Sequence, residues 1–167
     1  MTLNKPEISI IAPLYNEEES VELLFQKITE AASLANRTYE IIFVDDGSSD
    51  NTLKKANILA RVDRRLRVVE FRKNYGQTPA MAAGIDIARG DILVTMDGDL
   101  QNDPLDIPMM VDKLDEGFDL VVGWRYKRKD KLISRKIPSM VANKLIGYVT
   151  GVPIKDNGCS LKVYKAE

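Results

Sequence analysis

Ile92-Leu93-Val94-Thr95-Met96-Asp97-Gly98-Asp99-Leu100-Gln101 is an apolar, β-rich run that stops at two carboxylates one residue apart. Such a run suits a buried strand, so Asp97 and Asp99 fall where the strand ends and a loop begins. Carboxylate oxygens suit hard cations such as Mg2+ or Mn2+, and those cations hold phosphate oxygens. The pair therefore points to a diphosphate-bearing substrate.

Outward from this stretch, similar runs occupy residues 8–12, 39–44, 66–71 and 118–122, with helical patterns filling most of the gaps. Alternating β and α elements predict an α/β fold, a mainly parallel sheet flanked by helices on both faces, as a single domain. The first helix starts near Ser20 and shows Val21, Leu24, Phe25, Ile28, Ala31 and Ala35 on one stripe, which packs on the sheet. A second follows Ser49 or Asp50 as N-cap, a third spans 78–88 before Arg89-Gly90, and Pro104 is the first helical position of a fourth. Residues 124–136 form a basic loop with seven Lys or Arg against one acid, Asp130. A further helix is expected over 134–150, with Ile137, Met140, Val141, Leu145 and Tyr148 as its apolar stripe. Asp156-Asn157-Gly158 is a turn, and 159–164 a last short strand.

Composition narrows the chemistry. The 167 residues are 44% hydrophobic and 29% charged, enough for one core and a polar surface, and the net charge of −1 argues against nucleic-acid binding by bulk electrostatics. There is no histidine, which removes His-dependent triads, His-ligated zinc and an imidazole base. Carboxylates must do the acid–base or metal work. The single cysteine, Cys159, excludes an intrachain disulfide and fits a reducing compartment, with a packing role as a small apolar residue. No apolar run approaches the ~20 residues that span a bilayer, and the first residues lack a signal-peptide core.

In open α/β sheets ligands bind beyond the carboxyl ends of the strands. The unusual residues gather there: Pro13-Leu14-Tyr15-Asn16-Glu17 after the first strand, Asp45-Asp46-Gly47-Ser48-Ser49-Asp50 after the second, Arg72-Lys73-Asn74-Tyr75-Gly76-Gln77 after the third, and the Asp97 to Gln101 loop after the fourth. Distant segments should share one cleft. The first loop has no Gly-x-Gly-x-x-Gly and no P-loop is present, so dinucleotide and P-loop sites are unsupported. An aspartyl-phosphate phosphatase would want its Asp-x-Asp after the first strand, followed by a hydroxyl residue. Ser48, Ser49 and Asp50 suit helix capping better than ligand binding.

Pro13-x-Tyr15-Asn16-Glu17, Asp45-Asp46-Gly47-Ser48-x-Asp50-x-Thr52, Asn74-x-Gly76, Asp97-x-Asp99-Leu100-Gln101-x-Asp103-Pro104, Gly123-x-Arg125 and Asp156-x-Gly158, taken in order, resemble the inverting glycosyltransferases of family two with the GT-A fold. Within that family they are most similar to the polyprenyl-phosphate glycosyltransferases, of the dolichol-phosphate mannose synthase and bactoprenol glucosyltransferase types. The resemblance runs from about residue 7 to residue 167. It implies Mg2+ or Mn2+ held by Asp99, Asp97 and Gln101, and a nucleotide pocket lined by Asp46, Glu17, Pro13 and Tyr15, with Asp46 ahead of Asp45 as base contact. Arg125 and Arg135 are expected on phosphate, which guanidinium binds bidentately. Lys127, Arg128, Lys129 and Lys131 meet the acceptor phosphate or anionic lipid headgroups, or simply form a solvated loop.

Asp99, Arg125 and Asp156 are the catalytic residues the resemblance implies, with Asp156 on the acceptor side as a base or as an orienting group. A lipid phosphate is already anionic at neutral pH, whereas a sugar hydroxyl needs a base. The expected reaction is a single inverting displacement on a nucleotide-diphosphate sugar. The donor the resemblance implies is UDP- rather than GDP-linked, with UDP-glucose expected first and GDP-mannose and UDP-N-acetyl sugars open. The acceptor is polyprenyl phosphate, which puts the full-length protein in the cytoplasm at the inner face of the membrane. The 1–167 catalytic domain is then cut short, its membrane-associated part lying beyond residue 167. The alternatives are a nucleotide-sugar-binding module without transfer, a transferase acting on a saccharide hydroxyl, and a sugar-phosphate nucleotidyltransferase. The last should carry a glycine-rich basic loop after strand one, where residues 13–19 are instead acidic.

Overall fold

The structure, a computed structural model, describes residues 5–124, 156 and 158–166. The chain divides into two compact units, Met1–Val121 with Ser160–Glu167, and Val122–Cys159. Along the described residues the order is β1 (Ile8–Leu14), α1 (Val21–Leu34), β2 (Tyr39–Asp45), α2 (Thr52–Val62), β3 (Leu66–Glu70), α3 (Gln77–Asp86), β4 (Ile92–Thr95), a 3-10 turn (Pro104–Asp106), α4 (Ile107–Asp115), β5 (Leu120–Val122) and β6 (Lys162–Lys165). The sheet order is β3-β2-β1-β4-β6-β5. β1 pairs in parallel with β2 and β4, and β2 with β3, whereas β6 lies antiparallel to β4, with Val94 opposite Val163. The mainly parallel α/β sheet expected from the sequence is present.

β1 and β2 are buried along their whole length, which requires cover on both faces. Side chains two apart share a face. Ile11, Ile42 and Val44 meet Ala80 of α3, with Met81 and Ile85 packed against them. The opposite face is left to α1, which touches both α2 and α4 and buries Val21, Leu24, Ile28, Ala31 and Ala32. Phe25 is only half-buried, and Ala35 is the C-cap rather than part of the stripe.

Other boundaries shift for local reasons. α2 has Asn51 at its N-cap, but the capping oxygen comes from Asp50, whose Oδ1 accepts the Thr52 N–H at 2.9 Å. Burial pushes the Asp50 carboxyl upward, yet hydrogen bonds from Thr52 and the Glu18 N–H outweigh it and hold the group below its ordinary range. Pro104 opens the 3-10 turn, where Asp103 accepts the Leu105 N–H, and α4 proper begins three residues later. The expected helix at 134–150 and the basic loop from residue 125 lie outside the described residues. In the second unit the Asp156 carbonyl accepts the Cys159 N–H at 3.2 Å, and Cys159 is buried.

At the amino-terminal end of the strands sits a polar cluster. Glu40 on β2 is 1% exposed. It accepts from Ser9 Oγ at 2.8 Å, from the Arg89 N–H at 2.8 Å, from Arg89 Nε at 3.0 Å and Nη2 at 2.6 Å, and from Arg67 Nη1 at 3.3 Å. Burial works to raise its pKa, but the Arg89 and Ser9 hydrogen bonds prevail and the carboxyl lies below the ordinary glutamate value.

Candidate functional site

Four loops leave the carboxyl ends of β1 to β4, and each is tied to a neighbour. Asn16, with a left-handed φ of 54°, joins the first to the second: its N–H donates to Ser48 Oγ at 3.0 Å, and its Oδ1 accepts the Ser49 N–H at 2.9 Å. The Glu17 N–H donates to Thr52 Oγ1 at 2.7 Å, and the Glu18 N–H to Asp50 Oδ2 at 3.2 Å. Asp46, 3% exposed, joins the second to the third by accepting the Tyr75 and Gly76 N–H groups, both at 2.8 Å. At Gly47, φ 69°, a Cβ would stand 2.3 Å from the Lys73 carbonyl carbon, so only glycine allows this approach. Gln77 Nε2 donates to Asp97 Oδ1, joining third to fourth.

Gly98 closes the ring. A Cβ there would lie 2.5 Å from the Pro13 carbonyl oxygen and 2.7 Å from Leu14 Cδ2. Gly98→Ala should therefore push the fourth loop off the first, costing about 1–3 kcal/mol of stability, which melting curves would measure.

The ring encloses a cavity of about 330 Å3, within the size range of small-molecule sites. Pro13, Tyr15, Glu17 and Asp46 line it together with Asp97, Asp99 and Gln101. Each candidate donor or metal residue among residues 5–124 thus reaches one hollow. Arg125 and Arg135 lie outside the described residues, and Asp156 belongs to the second unit. Asp45 does not line the cavity: its Oδ2 accepts the Ser48 N–H at 3.1 Å, and its buried Oδ1 has no hydrogen-bond partner among the described residues.

Four carboxylates and no Lys or Arg are among the described lining residues. Such a wall repels an anion and attracts a cation. Among the described residues no three His, Cys, Asp or Glu side chains cluster as a metal cage. The donor set nevertheless fits a hard cation that keeps open positions. Asp99 is exposed, and its hydrogen bonds come from the Gln101 N–H at 3.1 Å and Gln101 Nε2 at 2.7 Å, within its own turn. Leu100, at φ 61°, shapes that turn, a left-handed conformation that costs a leucine roughly 1–2 kcal/mol.

Several contributors were not legible in the sequence. Asn16 belongs to the first motif but its part as the loop staple was not assigned, and Gln77, Asn102 and Ser160 around Asp97 are polar residues outside the motifs that only the sheet order brings together.

Residues 9–167 match the family model described as glycosyl transferase family 2. Among curated relatives, dodecaprenyl-phosphate galacturonate synthase of Rhizobium johnstonii is 53% identical over 162 residues, 96% of this chain and 48% of that protein. Undecaprenyl-phosphate 4-deoxy-4-formamido-L-arabinose transferase of Yersinia pestis is 41% identical over 168 residues, 99% of this chain and 51% of that protein. The chain spans about half the length of these relatives. Among solved structures, glucosyl-3-phosphoglycerate synthase from Mycobacterium tuberculosis with UDP has a TM-score of 0.69 at 25% identity, covering 96% of this chain and 57% of that one. A mannosyltransferase from Pyrobaculum calidifontis, solved with GDP-mannose and Mn2+, has a TM-score of 0.67 at 22% identity, covering 96% and 45%. The arrangement is that of the GT-A glycosyltransferases.

Proposed function

The chain belongs to glycosyl transferase family 2, and from that premise we propose that it moves a sugar from a nucleotide-diphosphate donor to a polyprenyl phosphate with inversion at the anomeric carbon. The observation that carries this reading is the acid-lined hollow in which Tyr15, Glu17 and Asp46 face the same space as Asp97, Asp99 and Gln101. Tyr15, 47% exposed, is available to pack on a base. Asp46 uses one acceptor site on each oxygen to hold the third loop, and each oxygen keeps another for a base N–H.

Asp97, Asp99 and Gln101 would hold a divalent cation, Mn2+ or Mg2+, which supplies positive charge beside the departing diphosphate. The acceptor phosphate oxygen forms the new bond to the anomeric carbon as the bond to the nucleotide diphosphate breaks. An anionic phosphate needs no deprotonation, so Asp156 has an orienting role in this reading. Arg125 and Arg135 add positive charge on the phosphate side, and the basic stretch they belong to faces anionic lipid at the cytoplasmic membrane surface. Among the described residues no helix is long and apolar enough to cross a membrane.

The names of both relatives support the polyprenyl-phosphate acceptor, and they favour galacturonate or a 4-deoxy-4-formamido-pentose over glucose as the sugar. A thermal-shift panel of UDP, GDP, UDP-glucose and UDP-galacturonate, with Mn2+ or with chelator, tests the reading. UDP with Mn2+ at a hundred times its dissociation constant should stabilise the protein by about 2.7 kcal/mol, roughly 5–10 °C, with UDP-galacturonate above UDP-glucose and little shift in chelator. Equal shifts with and without Mn2+, or none with any nucleotide, would overturn it. Binding without transfer to polyprenyl phosphate would favour a nucleotide-sugar-binding module.

A further inference from the structure

We propose that Ser160 and Asn102, with Gln77, are positioning residues that fix the Asp97 carboxylate for its cation; this rests on the cation site of the preceding reading. The two carboxylates of the loop are held very differently. Both donors to Asp99 among the described residues come from Gln101, two positions away. Asp97 is gripped from three directions. Gln77 Nε2 at the start of α3 donates to Oδ1, Ser160 Oγ donates to Oδ2, and Asn102 Nδ2 lies 3.4 Å from Oδ2.

The last two donors are themselves ordered. Asn102, 6% exposed, donates from Nδ2 to Ser160 Oγ at 2.8 Å, so the serine's own proton is directed onto Asp97. The Ser160 carbonyl in turn accepts Thr95 Oγ1–H at 2.9 Å, which pins this residue to the strand that carries the carboxylate. All three donors are neutral. They orient Asp97 without cancelling its charge, and Oδ1, with Gln77 as its one donor among the described residues, keeps acceptor capacity for the cation. A carboxylate set in advance loses little side-chain freedom when a cation arrives, whereas Asp99, exposed and tied only to its own turn, can adapt.

Removing a hydrogen-bond partner of a metal ligand commonly weakens metal affinity 10–100-fold. The test measures Mn2+ affinity of the full chain in the presence of UDP by the electron-paramagnetic-resonance signal of free Mn2+, alongside the metal-free melting temperature. Ser160→Ala should raise the Mn2+ dissociation constant about tenfold or more, and Ser160→Thr, which keeps the hydroxyl, should recover most of that loss. Gln77→Ala, at an exposed position, should weaken Mn2+ with the melting temperature unchanged, and it carries the test if Ser160→Ala does not fold. Native Mn2+ affinity in Ser160→Ala or Gln77→Ala, or no recovery in Ser160→Thr, overturns the proposal. Asp99→Asn, run in parallel, separates the two levels: if it loses Mn2+ while the positioning variants keep it, the cation site stands and the positioning role falls. If Asp99→Asn binds Mn2+ normally, both fall.

Discussion

Asp99→Asn is expected to lower sugar transfer by about a hundred- to a thousand-fold, the scale on which losing one group that stabilises developing charge acts, while the fold stays intact. Asparagine keeps the shape of aspartate and removes the charge. Because Asp99 is exposed and bonds only with Gln101 among the described residues, the substitution should change stability by no more than about 0.5 kcal/mol. The acid wall of the cavity sharpens the expectation. Glu17, Asp46 and Asp97 remain, with no basic described lining residue to balance a diphosphate. Transfer of labelled sugar to polyprenyl phosphate, measured across a Mn2+ titration, gives the result. Turnover equal to the native protein would remove Asp99 from the metal assignment.

The largest stability effect is expected far from the cavity, at Glu40. Glu40→Ala removes the acceptor shared by Ser9, Arg67 and Arg89 and leaves the buried Ser9 hydroxyl without its glutamate. Breaking a buried ion pair costs about 3–5 kcal/mol. Arg67 and Arg89 keep 35% and 43% side-chain exposure and can turn to water, so the lower end, about 3 kcal/mol, applies, a fall of roughly 10 °C in melting temperature. The pH dependence has a definite sign. The folded-state pKa of Glu40 is lowered, so its contribution is complete above the unfolded value near 4.3 and disappears as pH falls through the folded value. Melting temperatures of native protein and Glu40→Gln should differ most at neutral pH and converge in acid. A constant gap from pH 7 to pH 3 would contradict the assignment.

Glu40 also marks where the sequence stops being informative. Tyr39-Glu40-Ile41-Ile42-Phe43-Val44 is legible as a strand because its apolar content overrides one acid, but the acid's partner lies 49 residues away at Arg89, and no local pattern encodes that distance. β1 and β4 were legible for the same reason, and so was the gathering of Pro13, Tyr15, Glu17, Asp46, Asp97 and Asp99, since parallel strands deliver their following loops to one edge. The start of α2 was less so. Ser48, Ser49, Asp50 and Asn51 are all competent caps, and the contest is decided by the first loop: Asn16 takes Ser48 and Ser49, leaving Asp50 to serve both Thr52 and Glu18. Antiparallel insertion of β6 between β4 and β5 was not visible at all. A short alternating strand carries no mark of its neighbours.

That insertion gives biosynthesis a fixed order. Thr95 and Ser160 bond at a sequence separation of 65 residues, which a ribosome working at ~5–20 residues per second traverses in roughly 3–13 seconds. Through that interval the nascent polypeptide has its β4 border unzipped, a template for mispairing with other emerging chains, and the Asp97 carboxylate waits for its serine. In the proposed reading the cation site of a newly made molecule is thus incomplete until Ser160 has emerged, and a stalled translation product ending ahead of Ser160 would be a natural client for chaperones that shield open sheet borders.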